Sequence, residues 1–131
     1  MSRENVDLTR WAFTSDPTRF FSVLDEDVEL DARSLIELPG AVTAGRGRAV
    51  VERFCREYWG TWADYSAEPQ KFIDSGDQVL VEVYERGKGK SSGAPFEQTH
   101  TQVWTLREGK LVRWRLFADR AEALEAAGLS E

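Results

Sequence analysis

The sequence predicts an α+β fold built on a mixed, mostly antiparallel sheet. Helical spacing and strand alternation fall in separate stretches, in the order α-α-β-α-β-β-β-α. The late connections are all of hairpin length, and one central segment has a periodicity that suits a long core-facing helix. The chain has 131 residues, near the usual size of one domain, and neither repeat nor linker interrupts it, so residues 1–131 read as a single domain.

Each element has its own signal. Residues 3–14 (RENVDLTRWAFT) read as a helix with a weak apolar stripe. Asp16 is a natural N-cap and Pro17 suits the first helical position. Phe20, Phe21 and Leu24 then recur at helical spacing, which predicts a short helix over 17–24. In DVELDARSL (27–35), Val28, Leu30 and Ala32 alternate with Glu29, Asp31 and Arg33, as in a half-buried strand. Pro39, Gly40, Gly45 and Gly47 mark a loop.

The long helix follows. Val50, Val51, Phe54, Cys55, Tyr58, Trp59 and Trp62 share one face, with Glu52, Arg53, Arg56 and Glu57 opposite. Strands then read over YSAEPQKFID (65–74), QVLVEVYER (78–86), FEQTHTQVWTLR (96–107) and KLVRWRLFA (110–118). Ser75-Gly76-Asp77 and Glu108-Gly109 are the turns, and GKGKSSGAP (87–95) is a loop. A last helix starts at Asp119 as N-cap, with Glu122 at the capping-box position, and stops at Gly128.

Composition excludes several functions. A net charge of −6 argues against nucleic acid, because phosphate binding draws on clustered Lys and Arg. No apolar run approaches the roughly 20 residues that span a bilayer, and the polar opening MSRENVDLTR has no secretory core, so a cytoplasmic protein without a membrane partner is expected. One cysteine, Cys55, and one histidine, His100, exclude an internal disulfide and multi-Cys or multi-His metal sites; no metal or cofactor is expected. Cys55 lies on the apolar helix face and reads as a buried structural thiol. GKGKSSG is no phosphate loop, since the first glycine of that motif would fall on Tyr84 and no helix follows.

The phrases ENVDLTRWAF…DPTRFFSVLDEDVEL, GRGRAVVERF, FIDSGDQVLVEVYERGKG and THTQVWTLREGKLVRWRLFADRAEALEAAGL together resemble the nuclear transport factor 2-like superfamily, and within it the SnoaL-like group. The resemblance covers nearly the whole chain. VWTLREGKLVRWRLFAD is its most specific part and is similar to the closing hairpin of limonene epoxide hydrolases and polyketide cyclases. It implies a cone-shaped α+β barrel, a curved sheet wrapped around the long helix with a pocket at one end. Fold alone does not fix function here.

The relatives' catalytic patterns match poorly. Epoxide hydrolases and cyclases of this type carry an Asp two residues after the Trp of the last strand; here that position is Leu116, which can neither hold nor accept a proton. QVLVEVYER lacks the hydrolases' Arg-x-Asp as well. Ketosteroid isomerases carry a base near Asp31, although Ala32 is the stricter equivalent, and their Tyr is replaced by Thr9 or Trp11.

The family's inward register at Trp114 and Leu116 implies that Gln98, His100, Gln102 and Trp104 face the pocket, with Leu80, Glu82 and Tyr84 on the strand before. Glu82 would then orient His100 as an acid–base pair, with Asp31 as a further candidate. Tyr58 and Trp59 wall the same pocket. The function so implied is binding of a mostly apolar small molecule, with isomerase- or cyclase-type proton transfer through His100. The alternative is a non-catalytic ligand-binding or dimeric interaction module, in which His100 is a core histidine satisfied by its neighbours.

The same register leaves Thr99, Thr101, Val103, Thr105, Arg113, Arg115 and Phe117 outside, with Val79, Val81 and Val83. Family members commonly pair through this face, and the valines make it apolar, so a homodimer is expected.

Overall fold

The protein is described by a computed structural model over residues 2–14, 16–36 and 40–129. Its elements are α1 (Ser2–Ala12), α2 (Pro17–Ser22), β1 (Leu24–Ser34), β2 (Ala44–Arg46), α3 (Arg48–Gly60), β3 (Trp62–Ser75), β4 (Gln78–Gly89), β5 (Pro95–Arg107), β6 (Lys110–Phe117) and α4 (Arg120–Ala126). The four segments read as strands after the long helix are all strands, one more than the order α-α-β-α-β-β-β-α counts, and the short β2 interrupts the expected loop; Pro39 of that loop lies outside the described residues. The loop expected over 87–95 is shorter as well. Gly87 and Lys88 pair with Phe96 and Pro95, which carries the β4–β5 ladder almost to the hairpin tip.

The local signals explain the elements. Asp16 accepts from Thr18 N at 3.0 Å and Pro17 opens α2. Val51, Phe54, Cys55 and Tyr58 form the buried stripe of α3. Gly47 precedes that helix at φ 108°, a conformation that side chains rarely adopt.

The six strands lie in the order β2-β1-β6-β5-β4-β3. β1 runs parallel to β6 and every other pair is antiparallel. α3 packs against β1 and β2 at one end of this order and against β3 at the other. Strands from opposite ends therefore reach one helix, which requires the sheet to curl around it. The curl stops short of a closed barrel, with β2 and β3 as the end strands.

Cross-strand partners share a face of the sheet. Val79 pairs with Trp104, Val81 with Gln102, Val83 with His100 and Glu85 with Gln98. The three valines are fully buried in the main core with Phe54, Trp104 and Trp114. Each such burial contributes about 1.5–3 kcal/mol. This corrects the expected register of β4 by one residue, because a one-residue slip moves every side chain to the other face. Leu80, Glu82 and Tyr84 are the outward set. Leu80 and Val103 form a second core with Ala123 and Leu124, so α4 covers that end of the outer face. Arg120 clamps the helix through Glu82 at 2.8 Å, and Arg115 donates to Ala126 O and Gln78 Oε1.

No helix among the described residues is long and apolar enough to cross a membrane.

Candidate functional site

A cavity of about 350 Å³ opens between the concave face of the sheet and the three N-terminal helices. Ala12 of α1, Phe13 just beyond it and Phe20 of α2 line one side, α3 contributes Phe54, Cys55, Tyr58 and Trp59, and β3 contributes Tyr65. The floor is His100, Gln102 and Trp104 of β5 with Trp114 and Leu116 of β6. Trp104 pairs with Trp114 and Gln102 with Leu116, so these four meet on one face as the family's inward register implies. Phe20 packs on both indoles, with centroids 5.5 Å from Trp104 and 4.8 Å from Trp114.

A chain of polar contacts runs beneath this aromatic lining. Glu85, whose side chain is fully buried, accepts from Tyr58 Oη at 2.7 Å and Tyr65 Oη at 3.0 Å, both on Oε1. Its Oε2 accepts from Gln98 Nε2 at 3.3 Å and lies against His100 Nδ1. On the other side of the ring, His100 Nε2 is 3.0 Å from Gln102 Nε2. Gln102 Oε1 accepts from Trp104 Nε1 at 2.8 Å and Trp114 Nε1 at 3.0 Å.

Burial pushes the Glu85 carboxyl up, but hydrogen bonding from His100, its charge when protonated, and the two tyrosine hydroxyls outweigh this and hold Glu85 below its usual value. Tyr58 and Tyr65 are pushed above the ordinary tyrosine range, first by burial and then by the Glu85 charge. Cys55 is pushed up to about 12, chiefly by burial. It is a buried thiol at the wall, as its helix position suggests.

The expected carboxylate partners of His100 lie elsewhere. Glu82 pairs with Thr101 and bonds Arg120 on the outer face. Asp31 is held by Arg33 at 2.9 Å on the outer side of β1, and the hydrogen bond from Arg33 keeps its carboxyl low. Tyr84 is outward too and donates to Glu97 at 2.7 Å. Tyr58, Trp59, Gln102, Trp104, Trp114 and Leu116 all line the cavity, whereas Gln98 sits behind it and bonds Glu85.

Glu85 and Tyr65 are the residues the sequence reading missed. For Glu85 a signal existed: Val79, Val81 and Val83 form a wholly apolar set in phase with it, and that phase belongs to the core. For Tyr65 there was none, because β3 slips register between Ala63 and Ser66, around Tyr65 itself, and again between Pro69 and Lys71. Among the described residues, no group of three His, Cys, Asp or Glu side chains is placed to hold a metal ion.

A family model described as the SnoaL-like domain matches residues 8–114. Among solved structures, an NTF2-like protein from Burkholderia xenovorans LB400 is 26% identical, with 97% of each chain covered and a TM-score of 0.72. A protein described as a SnoaL-like polyketide cyclase from Jannaschia sp. CCS1 is 14% identical over 99% of this chain and 95% of that one, at a TM-score of 0.75. TerC, co-crystallised with polyporic acid, is 21% identical over 95% of this chain and 98% of that one, at 0.74. No curated protein matches the sequence significantly.

Proposed function

The chain belongs to the SnoaL-like domain family, and from that premise we propose that it binds a mostly apolar small molecule in the aromatic cavity. We further propose that His100, oriented by Glu85, is the group positioned to exchange a proton with that molecule. The observation that supports this reading is the lining itself. A cavity of about 350 Å³ walled by Phe13 and by rings from α2, α3, β3, β5 and β6 has His100 and Gln102 among its few polar side chains, the usual build of a site for an organic ligand. A carboxylate against Nδ1 fixes the plane of the imidazole and leaves Nε2 as its other polar atom.

A second reading, binding without chemistry, is favoured by Leu116. It fills the position at which the family resemblance expects a carboxylate, and it lines the cavity with carbon.

A thermal-shift screen of planar apolar compounds tests the first claim. Polyporic acid belongs in the panel because a structure of like fold was crystallised with it. A ligand at 100 times its Kd stabilises the folded state by about 2.7 kcal/mol, and His100→Ala is expected to reduce that gain. Equal stabilisation of wild type and variant would remove His100 from the site. Incubating the bound compound in D2O then separates the readings: deuterium incorporation that depends on His100 supports proton transfer, and its absence supports binding alone.

A further inference from the structure

We propose that Gln102 is the positioning residue that places the proton of His100 on Nδ1 and closes its Nε2 to the cavity until the amide turns. The assignment follows from donor counting. An indole nitrogen can only donate, and Trp104 Nε1 and Trp114 Nε1 both point at one end of the Gln102 amide. That end is therefore the carbonyl oxygen, and the NH2 end is the one 3.0 Å from His100 Nε2. A donor there needs a lone pair to receive it, so Nε2 carries no hydrogen and the ring proton sits on Nδ1, against Glu85.

Both lone-pair directions of Gln102 Oε1 are occupied by indoles, while Glu85 Oε1 accepts from two tyrosines and Oε2 accepts from Gln98 and lies against His100 Nδ1. Turning the amide to receive an Nε2–H would face its NH2 toward two N–H donors. Protonation of His100 and the hydrogen bonds of Trp104 and Trp114 are therefore one linked event. A ligand group that exchanges a proton with His100 must first displace or turn Gln102.

The titratable groups around the ring are Glu85 from β4, Tyr58 and Cys55 from α3, and Tyr65 from β3. The rest of the wall, from α1, the turn after it, α2, β5 and β6, includes Phe13, Phe20, Trp104, Trp114 and Leu116 and carries no charged side chain among the described residues. Burial pushes Tyr58, Tyr65 and Cys55 up, so Glu85 is the neighbour that stays ionised around neutral pH.

His100 is the single histidine of the chain, so long-range 1H–15N spectra of its ring are unambiguous. They are read on ligand-free protein. The inference rests on the proposed pocket for its consequence, and a failed ligand screen leaves these spectra decisive. At pH 7 the wild type is expected to show hydrogen on Nδ1 alone. On acidification, the His100 signals and the indole N–H resonances of Trp104 and Trp114 should move with one midpoint. Gln102→Glu supplies an acceptor to all three donors and is expected to raise the His100 midpoint by roughly one pH unit or more. Hydrogen on Nε2 in the wild type, indole signals that ignore the titration, or an unchanged midpoint in a folded Gln102→Glu protein would each overturn the assignment. If that variant does not fold, the wild-type spectra decide alone.

Discussion

Glu85 and His100 meet on a diagonal. The register partner of Glu85 is Gln98 and that of His100 is Val83, yet Glu85 Oε2 lies against His100 Nδ1. The carboxylate reaches past one step of the β4–β5 ladder, while its other oxygen is held by tyrosines from α3 and β3. One buried anion thus joins two strands, the edge strand and the long helix, and that position governs its mutational and pH behaviour.

Glu85→Gln keeps the shape but sets an NH2 against groups that donate. At neutral pH it is expected to cost about 1–3 kcal/mol. Because the fold holds Glu85 below its ordinary value near 4.5, its contribution is full above that value and is lost as pH falls through the lower, folded-state one. Urea unfolding between pH 3 and 7 should therefore show the wild type losing more stability on acidification than the variant.

The thiol of Cys55 is pushed up to about 12 by burial and the Glu52 charge, so the thiolate is scarce at neutral pH. Iodoacetamide at pH 7.5 is expected to leave the folded protein unmodified and to label it once in denaturant. Rapid labelling of the native state would show that the cavity admits solvent to α3.

Asp119 caps α4 by accepting from Ala121 N at 2.9 Å. Asp119→Ala is expected to lower stability by about 1 kcal/mol with no effect on ligand affinity, because the side chain is exposed beyond the end of β6. Chemical denaturation alongside ligand titration checks both halves.

With Leu116 at the floor and Asp31 outside, no carboxylate lines the cavity among the described residues to activate water for a simple terpene epoxide. Purified protein is expected not to hydrolyse limonene oxide. Hydrolysis abolished by His100→Ala would reveal a base the register does not show.

The valines that suggested an apolar outer face lie in the core. The outward residues there include Glu82, Tyr84, Glu97 and Thr99. The homodimer we retain as a proposal would therefore be held by polar contacts across this face, and salt is expected to weaken it. Sedimentation at 50 mM and 500 mM salt gives the outcome: a monomer at both, at micromolar concentration, rejects the dimer.

Much of this was legible in the residues. Asp16-Pro17 and Asp119 announce two helix starts, and Val51, Phe54, Cys55 and Tyr58 announce the core helix, because caps and periodicity are local signals. The inward set on β5 was legible from the resemblance at Trp114, since cross-strand partners share a face. The partner of His100 was not. Its identity depends on the phase of β4, and both phases of QVLVEVYER place a glutamate beside the β5 strand. Three consecutive inward valines were the feature that distinguished them, and burial settles the choice.

The parallel pairing of β1 with β6 has a consequence for the order in which the molecule forms. Leu30 is the partner of Trp114, so the first strand stays without that neighbour until almost all of the chain has been synthesised. The β3–β4 and β4–β5 hairpins can assemble from contacts close in sequence, whereas joining β1 closes a long loop and bears its entropy. Slow, late docking of the N-terminal segment is the expected rate-limiting event. Until then the aromatic faces of β5 and β6 lack the phenylalanine cover of α2, which makes this interval the period of greatest exposure to aggregation.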